Sequence, residues 1–352
     1  MVRSARLLGV SVAAALIASV MFIGPASAGN RGGDTITVPK GGDIQGAIDR
    51  ADPGDTVIVE PGTYDGPVFI TTDRVNLIGA GAKETWIVAP SGKAPFCGIC
   101  VLGNVHKGQI VNPVSNVLVK GFTVQGFREF GIAGSGTMSL SVRNVNAVDN
   151  GEYGITAFNS QGAQYFSNTT WGNGEAGFYI GDSPNSRAML WNNTAYDSQF
   201  GFFFRDASFG TAENNTAWGN CAGFLVLNTG APGPAKKWRI ENNWSHENNK
   251  ACSGGEGPAV SGVGMALVGT SHVKLLHNFI WGNKSPSSKY IGSGIVVMTS
   301  KPDGGSNPIG NVVARNKLHD NSPYDIWYDG SGKNNDFAGN RCSSSSPGGL
   351  CG

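Results

Sequence analysis

A glycine followed by alternating apolar residues returns four times, as Gly154-Ile155-Thr156-Ala157, Gly177-Phe178-Tyr179-Ile180, Gly201-Phe202-Phe203-Phe204 and Gly223-Phe224-Leu225-Val226. The intervals are 23, 24 and 22 residues. Between these units an Asn-centred turn recurs: Asn168-Thr169-Thr170-Trp171, Asn193-Thr194-Ala195-Tyr196 and Asn215-Thr216-Ala217-Trp218. A period of this length marks a solenoid, in which each repeat buries its apolar face only by stacking on its neighbours. Alternation with a period of two makes the units strands, so the chain is expected to be a β-solenoid.

Within one coil the pattern assigns directions. The first and third residues after each Gly (Ile155/Ala157, Phe178/Ile180, Phe202/Phe204, Phe224/Val226, Met265/Leu267, Ile295/Val297) are all apolar and should point inward. The second and fourth should point outward, among them Tyr179, Phe203 and Arg205. A second strand ends at the Asn turn with inward Tyr165, Leu190, Ile240, Leu275 and Val313. A third follows it with small inward Thr170, Ala195, Ala217 and Ser245. Large residues facing small ones fill a narrow bore. Asn tolerates the left-handed corner, and its amide can donate to one coil while accepting from the other, so the turns should form a hydrogen-bonded ladder. Asn168-Thr169-Thr170 and Asn214-Asn215-Thr216 also read as glycosylation sequons; the ladder is the preferred reading.

The chain opens with Arg3 and Arg6, an apolar run from Leu7 to Ile23, and Ala26-Ser27-Ala28. That order describes a secretory signal peptide, residues 1–28, cut after Ala28, rather than a membrane anchor. The remainder, 29–352, is expected to be one exported domain with no membrane insertion and a monomer. Without Arg3 and Arg6 it carries 24 basic and 25 acidic residues, a net charge of about −1. No Lys/Arg stripe is present, which argues against nucleic acid as a partner. The 53 glycines and many Asn and Ser fall at fixed turn positions, which signals order rather than disorder. Six cysteines in an exported chain imply disulfides. Cys97-x-x-Cys100 reads as a loop clip. Cys221 and Cys252 follow the same turn in successive coils, about 4.8 Å apart, and Cys342 and Cys351 would tie down the C-terminal tail.

Upstream, Asp43-Ile44-Gln45-Gly46-Ala47-Ile48-Asp49 reads as a short amphipathic helix that would cap the solenoid's exposed end. With Ala51-Asp52-Pro53-Gly54-Asp55-Thr56, Pro61-Gly62-Thr63-Tyr64, Leu77-Ile78-Gly79-Ala80-Gly81 and the Asn turns, the chain resembles the right-handed parallel β-helix proteins of the pectin-lyase-like superfamily over about residues 35–340. The resemblance implies an all-β fold. It also implies exported lyases, glycosidases, esterases or epimerases of acidic polysaccharides, alongside phage and adhesin proteins without catalysis. The superfamily's familiar signatures (Asn-Thr-Asp with Gly-His-Gly, Asp-Pro-His, Arg-x-Pro-x-x-Arg, Asp-Phe-Ile-Phe-Gly) are absent from the sequence.

Two outward files are candidate sites. On the third strand, the residue three past each Asn is Trp171, Tyr196, Trp218, His246, Trp281 and His319. Sugars stack on exposed rings, and one coil is comparable with one pyranose. These rings form either a polysaccharide platform or a self-stacked column that stiffens the solenoid. On the first strand, the fifth residue after each Gly is Asn159, Asp182, Asp206 and Asn228. Asp182 and Asp206 should stack across coils and could hold Ca²⁺, which would bind a uronate carboxylate. Arg205 could neutralise that carboxylate, and Tyr179 exchange a proton at the adjacent carbon, with Phe203 nearby. The local alternative is that these Asx residues cap a turn, with Arg205 as counter-ion. Longer intervals after Gly223 and Gly264 place insertions at 230–237, 250–262, 285–292 and 300–308. Lys236, Lys237, Arg239, His246, Glu247, His272 and His277 lie in or beside them, with no role assigned. The leading expectation is a lyase or C5-epimerase of an acidic polysaccharide. The alternative is a non-catalytic glycan-binding or surface protein.

Overall fold

In the computed structural model, which describes residues 33–230, 233–253 and 258–352, the chain winds as a stack of coils with three parallel sheets. The expected signal peptide lies outside the described residues. Sheet 1, of 11 strands, holds the Gly strands, including Tyr153–Phe158, Ala176–Gly181, Phe200–Arg205 and Ala222–Leu227. Sheet 2 has 12 strands and runs through Ser141–Arg143, Gln164–Phe166, Met189–Trp191 and Thr211–Glu213 to Asp336–Ala338. Sheet 3 has 10 strands, among them Thr169–Trp171, Thr194–Tyr196 and Thr216–Trp218. Each strand pairs with its counterpart one coil away, so the repeat period read from the sequence is the register of the sheets: Phe178 pairs with Phe202 and Phe202 with Phe224.

The bore fills as the alternation requires. Phe178, Phe202 and Phe224 stack in one inward column, with ring centroids 4.9 and 4.5 Å apart. Tyr165, Leu190 and Ile240 face them from sheet 2, and Thr170, Ala195 and Ala217 from sheet 3, all buried. Burying a side chain of this size contributes roughly 1.5–3 kcal/mol, repeated at every coil.

The corner between sheets 2 and 3 carries the Asn ladder. Asn168, Asn193, Asn215, Asn243 and Asn278 each donate through Nδ2 to the next rung's Oδ1, at 2.9–3.0 Å. Each also donates to a backbone carbonyl, such as that of Tyr165 from Asn193 and of Leu190 from Asn215. A second ladder, which the sequence reading did not identify as one, runs through Asn220, Asn248, Asn283 and Asn321 at the corner leading back into sheet 1. Asn168, the acceptor of the first sequon, is buried and closed to modification in the folded protein, whereas Asn214, the acceptor of the second, is only half-buried.

All three disulfides pair as the sequence suggests: Cys97–Cys100, Cys221–Cys252 and Cys342–Cys351. Cys97 and Cys100 belong to a buried strand, Cys97–Leu102, rather than to the loop expected there. The helix read over 43–49 is a single turn, Ile44–Ile48, which buries Ile44, Ala47 and Ile48. No helix among the described residues is long and apolar enough to cross a membrane.

Candidate functional site

Sheet 1 turns its second and fourth post-glycine residues away from the bore, yet most are covered. Tyr179 is 1% exposed and Phe203 4%. Period-two alternation sets direction only; here the outward rings cover one another. Tyr153 and Tyr179 stack at 4.3 Å, Phe158 tilts over Tyr179 at 5.2 Å, and Phe203 meets Tyr179 edge-on at 5.2 Å. The outer surface of sheet 1 is therefore a second apolar layer. Gly181 makes room for it, because a Cβ there would run into the Tyr179 ring and hydroxyl.

Charged groups border this layer. Glu175 accepts a hydrogen bond from the Tyr153 hydroxyl at 3.1 Å. Arg205 lies 3.6 Å from the Asp206 carboxylate through a buried Nε that makes no hydrogen bond, while two-fifths of its side chain remains exposed. Burial works against the guanidinium's charge, but Tyr179, Asp182 and Asp206 more than compensate, and its pKa is raised. Burial raises Glu175 against the opposing pull of Tyr153 and Arg205. It raises Asp182 as well, with Arg205 opposing and Asp206 adding to the rise. Burial and then Asp182 push the Tyr179 phenol far upward, so it is a neutral donor and a poor base. Most of the shifted groups in the described chain gather here. Such clustering is a physical signature of functional sites.

Sequence reasoning missed Glu175. The signal was available: two residues before each glycine stand Glu129, Glu152, Glu175 and Gln199, and backbone bonds join the three glutamates coil to coil. Burial, then Glu129 and Glu175, raise Glu152 in that column.

Asn159, Asp182 and Asp206 occupy one corner column in the left-handed conformation, with φ of 43°, 49° and 49°. A short polar side chain suits that backbone for local reasons. Both oxygens of Asp206 are engaged by Thr229, through its amide at 2.7 Å and its hydroxyl, which fastens the inserted segment after Leu227. Asn228 donates to Gly269 O at 3.0 Å and Ser306 Oγ at 2.9 Å, tying that segment to the next insertion. Among the described residues no group of three or more His, Cys, Asp or Glu is arranged to hold a metal. With Asp206 committed to Thr229 and Asn228 spent on the loops, this column does not fit the expected Ca²⁺.

The sheet 3 file is in register, as its spacing required. Trp171 stacks on Tyr196 at 5.6 Å and 2°, and Tyr196 on Trp218 at 4.5 Å and 10°. His246 stacks on Trp281 at 4.4 Å, and Trp281 on His319 at 6.1 Å. The ring faces meet each other along the axis and the edges point outward, with Trp218 36% exposed. A sugar's C–H face would find an open ring face only where a run ends. His246 also meets Glu247 at 3.1 Å, His277 meets Glu241 at 3.2 Å, and Arg239 pairs with Glu241. Lys236 and Lys237 lie over the Phe209 ring at 5.9 and 5.3 Å.

The family profile described as "Right handed beta helix region" matches residues 96–244. A search of curated proteins finds no match. Solved structures share the architecture at low identity. The A-module of an Azotobacter vinelandii mannuronan C-5 epimerase is 17% identical, with 86% of this chain and 94% of that one covered and a TM-score of 0.59. A pectate lyase is 13% identical over 89% and 78%, with a TM-score of 0.50. A Streptococcus pneumoniae surface adhesin is 14% identical over 84% and 83%, with a TM-score of 0.51. With its three parallel sheets in coil-to-coil register, its matched repeat region and these neighbours, the chain has the right-handed parallel β-helix fold.

Proposed function

We propose that the protein is an exported carbohydrate-active β-helix whose working surface is the outer face of sheet 1 around Arg205, and that it acts as a lyase or C5-epimerase on an acidic polysaccharide. The observation that carries this is the gathering of Glu175, Tyr179, Asp182 and Arg205 with raised pKa values on one surface. The epimerase and pectate lyase among its structural neighbours support the substrate class. Three disulfides suit an exported chain.

In this reading the exposed part of Arg205 pairs with a uronate carboxylate. A raised carboxylate, Asp182 or Glu175, is a better base at neutral pH than an ordinary one and takes the proton from the carbon beside that carboxylate. The electron pair left behind spreads into the carboxyl group, where Arg205 stabilises it. It then either expels the neighbouring glycosidic oxygen, leaving a carbon–carbon double bond, or takes a proton back on the opposite face. Tyr179, held neutral, serves as the proton donor in that exchange.

Incubation with polymannuronate, polyguluronate and polygalacturonate tests this, with the double bond read by ultraviolet absorbance and inversion by NMR. Arg205→Gln should lower the rate roughly hundredfold, as loss of a preorganised charge partner does. No product and no inversion from any polymer would reject catalysis. One observation favours the binding alternative: beyond Arg205 the outer face of sheet 1 is apolar, through Leu225, Leu227, Val268 and Met298. The adhesin neighbour shares the fold.

A further inference from the structure

A surface cavity lies on sheet 2, away from the groups around Arg205. It is an open trough of about 540 Å³. Its axis follows the stack of coils, because Arg143, Phe166, Trp191 and Glu213 are register partners in four successive strands. At about 4.8 Å per coil, Arg143 and Glu213 stand about 14 Å apart, room for about three pyranose units.

The floor differs from the sheet 3 file. Trp191 is 46% exposed and Met189 49%. No ring among the described residues stacks on Trp191, whereas the sheet 3 rings cover one another. Phe166 carries the Arg143 guanidinium 5.0 Å from its centroid. Ser141 accepts a hydrogen bond from Arg143 Nε at 2.8 Å, which fixes the guanidinium in place. At the other end Glu213 has no ion-pair partner among the described residues. Thr211 adds a hydroxyl to the lining.

We infer that this trough is a second carbohydrate-binding site, separate from the sheet 1 surface, and that it takes a neutral oligosaccharide. An open indole beside a cation, a carboxylate and a hydroxyl offers a stacking face together with donors and acceptors for sugar hydroxyls. The two end charges have opposite sign, so a polyuronate would lose at Glu213 what it gained at Arg143. A neutral sugar's hydroxyls can donate to Glu213 and accept from Arg143 at once.

Native gels cast with galactomannan, laminarin or hydroxyethyl cellulose test the site. At least one polymer should retard the protein. Trp191→Ala should weaken that retardation about fivefold or more, the loss of one stacked contact. Trp191→Phe should restore part of it, and Arg205→Gln should leave it unchanged. Trp191 is exposed, so Trp191→Ala is expected to melt with the parent protein, and that melt is the folding control. Retardation by none of the three polymers, or equal retardation of parent and Trp191→Ala, would overturn the proposal. Failure on polyuronates alone would count only against the sheet 1 reading.

Discussion

Asn215→Ala tests how much of the fold rests on the amide ladder. The Asn215 side chain makes four hydrogen bonds inside the protein. It accepts from the Asn193 amide at 3.0 Å and Asn193 Nδ2 at 2.9 Å, and donates to Leu190 O and Asn243 Oδ1, each at 3.0 Å. At about 1 kcal/mol net per bond, truncation removes about 4 kcal/mol. The buried Asn193 N–H also loses its partner, which adds about 1 kcal/mol or more. The total, about 5 kcal/mol, is exceptional for one substitution. Asn340, near the C-terminal end of the stack, makes three such bonds, with Val313 O and with the Asn316 amide and Nδ2, so Asn340→Ala should cost less. Urea unfolding followed by circular dichroism gives the total. Hydrogen exchange over residues 190–196 reads the local effect, which matters because stacked repeats can unfold in parts. A cost under about 1 kcal/mol, or unchanged protection of the Asn193 amide, would refute the view that the ladder holds the coils together.

Acidification should stabilise the protein before it destabilises it. Glu152, Glu175 and Asp182 titrate above their ordinary range in the folded state, so between that range and their raised values the folded state holds more protons than the unfolded one. Stability therefore rises as pH falls through that window. Asp325, whose pKa is lowered, gives up its contribution only at still lower pH. Thermal melts from about pH 7 to about pH 3 should show a maximum on the acid side, blunted in Glu175→Gln; a Tm that falls steadily from pH 7 would contradict the burial of these carboxylates. Gly181→Ala should displace the Tyr179 ring and cost about 1–3 kcal/mol, the range for overpacking; a Tm equal to the parent's would show that the ring is not held there. Treatment with EDTA should leave Tm unchanged, because Asp206 is already engaged by Thr229 and Arg205; a drop of more than about 2 °C would reveal a bound cation.

The bore was legible in the sequence because a single periodicity specifies it. Phe178, Phe202 and Phe224 are inward wherever strands alternate, and Asn215 and its equivalents mark the corner between sheets 2 and 3. Tyr179, Asp182, Arg205 and Asp206, which the spacing offers as a candidate site, lie near one another in the structure. What alternation could not supply was cover. It turns Tyr179 and Phe203 outward but does not say that Tyr153 and Phe158 will close over them. Glu175 escaped notice because it precedes the glycine from which positions were counted. Trp191 carries no periodic mark in the sequence, because it lies just before the Asn turn and outside the regular aromatic file of sheet 3, whose rings stack on each other.

One property of the coil-to-coil register bears on how such a chain can change over generations. Equivalent residues in adjacent coils pair one to one across Ala176–Gly181, Phe200–Arg205 and Ala222–Leu227. Loss or duplication of a whole coil, such as the segment from Gly177 to Phe200, would bring like against like again and lengthen or shorten the molecule by one step. Loss of one residue within a strand would instead turn every following inward side chain of that strand to the outside. Length is thus free to drift in units of a coil, while the spacing within each coil is held fixed.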